Sequence, residues 1–124
     1  MDRNKILIVD DDPRNIFALA ATLRYKGYEC VSAGDARQAF ALLGLDERIA
    51  LVLMDMMMAE IDGYQAIGLI RAEPRWAGLP VIAVTAQAMV GDRERCLAAG
   101  ADDYLSKPID VDQLLQKLEH YLNR

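Results

Sequence analysis

Apolar residues recur along this chain in two alternating rhythms. Positions 6–9, 49–54 and 81–84 are unbroken apolar runs rich in Ile, Val and Leu, as expected of parallel strands covered by helices on both faces. Positions 28–33 and 103–106 predict two weaker strands. Between these runs lie three apolar sets: Ile16, Leu19, Ala20 and Leu23; Ala36, Ala39, Phe40 and Leu43; and Val111, Leu114, Leu115, Leu118 and Leu122. All three follow the i, i+3, i+4, i+7 spacing of amphipathic helices. Positions 63–73 and 88–99 are also helical by pattern. The second carries Asp92, Arg93, Glu94 and Arg95 and only a weak apolar stripe, so it is expected to be the most solvent-exposed helix.

Local signals mark the boundaries. Asp12 before Pro13 reads as an N-cap followed by proline in the first helical position, and Asp35 with Gln38 and Asp110 with Gln113 have capping-box spacing. Gly27, Gly44 and Gly100 stand where helices are expected to stop. Five strands alternating with five helices through short loops predict an open α/β sheet, because right-handed crossovers place helices on both faces. A flavodoxin-like doubly wound parallel sheet of strand order 2-1-3-4-5 suits this length. Ligands of such sheets sit beyond the carboxyl ends of the strands, at the topological switch point.

Composition narrows the setting. The 124 residues suit one domain spanning 1–124, with no linker-like or low-complexity stretch. Fourteen Lys and Arg against 19 Asp and Glu give a net charge of −5, which argues against direct binding to nucleic acid or to an anionic membrane. The first apolar run is too short for a signal peptide or a membrane span, and Cys30 and Cys96 form no ligand or disulfide pattern. A cytoplasmic protein is expected.

The chemistry collects where strands end. Asp10, Asp11 and Asp12 follow the first strand, Asp55 the third, Thr85 the fourth, and Ser106, Lys107 and Pro108 the fifth. Carboxylates from two strands suit a hard divalent cation, and a hydroxyl with an ammonium suits phosphoryl oxygens. The set points to phosphoryl transfer. Each member has a plainer reading as well: Asp12 as a helix cap, Thr85 as an ordinary strand residue, Lys107 as a solvated charge.

These segments, with Asp62, Gly63 and Tyr64 and the stretch 100–108, resemble the receiver domain of two-component response regulators over essentially the whole chain. The resemblance implies that Asp55 is the phosphoacceptor, supplied by a histidine kinase or a histidine phosphotransfer protein. It implies magnesium (or manganese) held by Asp11, Asp55 and the backbone carbonyl of Met57, with Asp10 acting through water. Thr85 and Lys107 would hold phosphoryl oxygens, Tyr104 would be the switch aromatic beside Thr85, and the Lys107–Pro108 peptide would be cis. The fourth helix, fifth strand and fifth helix would then present the surface read by a protein effector. Such a domain assists its own phosphorylation and dephosphorylation without being an enzyme in the ordinary sense, either alone or as part of a hybrid kinase. Ala59 stands where many relatives have proline. Met57 and Gln87 occupy the two positions that tune dephosphorylation.

Two other readings compete. A haloacid-dehalogenase-like phosphatase would use Asp10 as nucleophile and Asp12 as acid, leaving Asp55 unused. A receiver-like docking module would keep the fold without cycling phosphate. Met54, Met56, Met57 and Met58 read as gap-filling side chains, since no Cys or His joins them in a soft-metal set. His120 and Trp76 belong to no motif.

Overall fold

The computed structural model describes residues 5–86 and 90–122. Its five strands are β1 (Lys5–Val9), β2 (Glu29–Ala33), β3 (Ile49–Asp55), β4 (Val81–Thr85) and β5 (Asp103–Ser106), and its five helices are α1 (Pro13–Tyr25), α2 (Ala36–Leu45), α3 (Gly63–Ala72), α4 (Asp92–Ala99) and α5 (Val111–Leu122). All pairings are parallel, in the order β2-β1-β3-β4-β5. β2 and β3 flank β1 on opposite sides, and the chain crosses from one side to the other through α2, so the switch point lies beside the end of β1.

The period of two along each strand divides the core. Leu7, Val9, Val52, Met54, Val81 and Ala83 pack with α2, α3 and Cys96 of α4. Ile6, Ile8, Leu51, Leu53, Ile82 and Val84 pack on the other face with Leu23 of α1 and Leu114 and Leu118 of α5. All seven residues of β3 are buried, which explains its unbroken apolar run. Each fully buried Leu or Ile contributes roughly 1.5–3 kcal/mol over an exposed one.

Several boundaries differ from those expected. Gly44 lies inside α2, which continues to Leu45 and is closed by Asp46; a glycine near a helix end is tolerated when its neighbours are anchored. The reciprocal capping box is on α3, where Asp62 and Gln65 bond each other's backbone N–H groups at 2.9 and 3.2 Å. On α2 the Gln38 amide oxygen instead accepts from Gly34.

Among the described residues the fourth helix begins only at Asp92, after Gly91 with φ of 86°. It is not the most exposed helix. α4 buries Asp92 and Cys96 among its 8 residues, whereas α1 buries only Ala20 and Leu23 among its 13. Phe17 and Tyr25 of α1 are 77% and 86% exposed. The pattern on α4 looked polar because one of its inward residues is a carboxylate.

One arginine joins three elements. Arg71 at the end of α3 donates to the carbonyls of Gly100, Ala77 and Leu79 and to Asp102 Oδ2 at 2.8, 3.1, 2.7 and 2.7 Å. Asp102 Oδ2 also accepts from Val81 N at 2.8 Å. The turn into β5 is thereby tied to the start of β4.

Candidate functional site

Parallel register brings the strand ends level. Val9 pairs with Met54, Asp55 with Val84, and Thr85 with Ser106. Asp10 and Asp11 leave β1, Asp55 ends β3, Thr85 ends β4 and Lys107 leaves β5, all at one edge of the sheet. Asp10, Asp55 and Thr85 are buried, being 6%, 4% and 1% exposed; Asp11 is exposed.

The charges face one another. Lys107 Nζ donates to Asp10 Oδ2 at 3.2 Å and stands 3.7 Å from Asp55 Oδ1. Asp10 Oδ1 accepts from Asp12 N at 2.9 Å, and Asp55 Oδ1 from Met57 N at 3.0 Å. The Thr85 carbonyl accepts from Lys107 N at 2.7 Å, and the Lys107–Pro108 peptide is cis.

Burial pushes the Asp55 carboxyl above its ordinary value; the Met57 N–H opposes this, Asp10 repulsion adds to it, and Lys107 opposes it. A buried carboxylate with two acidic neighbours and one lysine is an anionic site short of cationic partners.

One oxygen each from Asp10, Asp11 and Asp55 lie within 4.8 Å of one another. Oxygens this close can share one hard divalent cation, directly or through a bound water, and the cation would relieve their repulsion. The residues fit such an ion.

The approach to Asp55 is a cleft of about 500 Å³ bordered by Asn15, Ala18 and Thr22 of α1 and by Pro108 and Ile109. Asn15 belongs to no motif of the sequence, and its amide lies 3.5 Å from Asp10 Oδ2. Only its place three residues after the acidic trio could have flagged it.

Gly63 is fixed by the site. A Cβ there would meet Met56 Cα at 2.6 Å and the Asp55 carbonyl at 2.7 Å, so α3 starts against the backbone of the Asp55 loop. Gly63→Ala is expected to cost about 2 kcal/mol by overpacking and to lower the thermal midpoint by roughly 8 °C. Calorimetry checks this, and an unchanged midpoint would show that the loop yields freely.

Other expected residues also have definite places. Tyr104 is half-buried in β5. Met57 is 49% exposed, while Met54, Met56 and Met58 are buried. Gln87 lies outside the described residues. Asp12 is the N-cap of α1, accepting from Arg14 N at 2.9 Å, so the acid of the phosphatase reading is occupied in a cap. His120 is exposed on α5, and Trp76 stacks on Phe40 at 6.1 Å.

A family model described as the response regulator receiver domain matches residues 6–119. The sensor histidine kinase RcsC of Escherichia coli is 41% identical over 123 residues, covering 99% of this chain and 13% of that protein. The DNA-binding dual master transcriptional regulator RpaA of Synechocystis is 33% identical, covering 97% of this chain and 49% of that protein. The chain thus spans a small part of one relative and about half of the other. The receiver domain of the sensor histidine kinase PA1611 from Pseudomonas aeruginosa superposes with a TM-score of 0.88 at 38% identity, covering 98% of each chain. That structure has a magnesium ion in its active-site cleft.

Proposed function

Given that the chain belongs to the response regulator receiver domain family of two-component signalling, we propose that Asp55 accepts a phosphoryl group from a phosphohistidine. The carrying observation is the convergence of Asp10, Asp11, Asp55 and Lys107 at the switch point of the sheet. Receiver domains bind a divalent metal in this site. Here Asp11, Asp55 and the Met57 carbonyl would hold magnesium, or manganese, with Asp10 acting through water. When bound, the cation neutralises charge on the transferring phosphoryl oxygens.

The chain's own residues do the rest. Met57 N–H fixes one oxygen of Asp55, so the other can point along the line of attack on phosphorus. As the Asp55 oxygen–phosphorus bond forms, the phosphorus–nitrogen bond to the donor imidazole breaks. Lys107 is near enough to follow the phosphoryl oxygens. Thr85, at the end of the neighbouring strand, supplies a hydroxyl to another oxygen, and its shift leaves room for Tyr104 to turn inward.

Receiver domains stand between histidine kinases or phosphotransfer proteins and downstream effectors. For this chain the effector surface is proposed on α4, β5 and α5, and the net charge of −5 argues against direct contact of this domain with nucleic acid or an anionic membrane. Among the described residues no helix is long and apolar enough to cross a membrane.

Intact mass with peptide mapping after incubation with acetyl phosphate tests the reading. One labile phosphoryl group on the Asp55 peptide, dependent on magnesium, is expected. An adduct on Asp10 would favour the phosphatase reading instead, and no adduct with any donor would favour a docking module.

Met57 bears on the lifetime of that adduct. Its thioether cannot orient an attacking water as an amide can, and its exposure leaves room for a polar side chain. Met57→Asn is expected to shorten the aspartyl-phosphate half-life roughly tenfold, about 1.4 kcal/mol in barrier. Following loss of label after removal of the donor measures it, and an unchanged half-life would remove Met57 from the hydrolytic step.

A further inference from the structure

Asp92 opens α4 with its side chain turned inward, 3% exposed. Its Oδ1 accepts from the Tyr64 hydroxyl at 3.3 Å. Its Oδ2 is the buried side-chain oxygen that finds no hydrogen-bond partner among the described residues. A buried acceptor left without a donor is costly and calls for a reason. Phosphoryl transfer as described does not use it.

The surroundings supply a donor. Cys96 stands one turn along α4 from Asp92, on the same face, and it belongs to the buried cluster against which both Tyr64 and Tyr104 pack. Tyr104 sits on β5, and among the described residues its hydroxyl makes no hydrogen bond. Burial, then the neighbouring Asp92 and Cys96, push its phenol above the ordinary value, as expected of a hydroxyl near an acidic group. Tyr64 adjoins Gly63, so the same carboxylate is also linked to the loop that carries the phosphoacceptor. α4 has no side-chain cap of its own at Gly91.

We propose that Oδ2 of Asp92 receives the Tyr104 hydroxyl when that side chain turns inward, so that Asp92 is the switch residue joining β5, α3 and the first turn of α4. The inference rests on the receiver reading and names the acceptor that reading lacks. An unfilled acceptor at rest disfavours the resting state, and filling it favours the phosphorylated one. The new bond is made to the first residue of α4, so the turn of one side chain is passed to the helix of the proposed effector surface. Tyrosine rather than phenylalanine at position 104 then has a stated purpose.

A double-mutant cycle tests it on the full chain. Beryllofluoride with magnesium, a mimic of the aspartyl phosphate, is titrated by calorimetry into the wild type, Tyr104→Phe, Asp92→Ala and the double variant. Asp92→Leu, which keeps the size of the side chain without its oxygens, replaces Asp92→Ala if that variant does not fold. Each single change is expected to weaken binding, and the two effects are expected to be non-additive by about tenfold, or 1.4 kcal/mol. The same cycle on thermal stability without beryllofluoride is expected to be additive.

Additive effects on beryllofluoride binding overturn the inference while leaving the receiver reading intact. Equal coupling with and without beryllofluoride also overturns it, since the bond would then exist at rest. A wild type that binds no beryllofluoride overturns the receiver reading and this inference with it.

Discussion

Asp55→Asn is expected to abolish phosphoryl uptake and to stabilise the cation-free protein. The first effect follows from losing the attacking oxygen. The second follows from the site itself: the Asp55 carboxylate is buried, faces Asp10 and Asp11, and has its carboxyl pushed upward by burial against only partial compensation. An asparagine oxygen can still accept from Met57 N, while Lys107 keeps Asp10. Removing the charge is expected to raise the thermal midpoint by roughly 4 °C, a change that corresponds to about 1 kcal/mol for a domain of this size. Added magnesium should reverse the order, because binding to the folded wild type raises its stability and the variant lacks one carboxylate. Melting curves of both proteins with and without magnesium check this. A variant less stable than the wild type in the absence of cation would show that the acidic cluster is not strained.

Lys107→Met is the second large effect. Among the described residues the ammonium is the one positive group paired with both Asp10 and Asp55. Removing one preorganised donor from developing charge typically slows a reaction 10²- to 10³-fold, and that loss is expected in the rate of labelling by acetyl phosphate. Asp10 and Asp55 would then face each other without their shared cation, so stability without magnesium is expected to fall by about 2 kcal/mol, the scale of one hydrogen bond to a charged group. Lys107→Arg should not rescue the rate, because a planar fork does not replace a compact charge. Rapid-quench labelling measures it, and a rate within threefold of wild type would remove Lys107 from the transfer step.

The legibility of this site in the sequence has a physical basis. A parallel strand covered on both faces needs a continuous apolar run, so a carboxylate at its end stands out as a break in pattern. Asp10, Asp11 and Asp55 are visible for that reason. Lys107 is visible only through its place after the weak fifth strand. Gly63 is visible as a glycine, but the contact that forbids a Cβ there comes from Met56 and Asp55 in the preceding loop.

Other features could not be read in the same way. Gly44 looked like a stop because local chemistry favours one; the helix continues because Leu43 is held in the core. The stretch at 88–99 looked like an exposed helix because Asp92 counts as polar in any pattern. Its burial depends on Tyr64, 28 residues away. Arg71 reads as a basic residue ending a helix, and its four bonds reach carbonyls and a carboxylate 6 to 31 residues away.

The sequence by itself determined the order of elements, the two-faced burial of the sheet, most helix caps and the acidic residues at the strand ends. These depend on periods of 2 and 3.6 residues and on contacts within a few positions. The tertiary structure alone decided that Arg71 ties α3 to β4 and β5, and that Asp92 is buried with one oxygen unfilled. Those facts arise where elements distant in the chain meet, and there an interior charge is set by its neighbours in space and not by its place in a pattern.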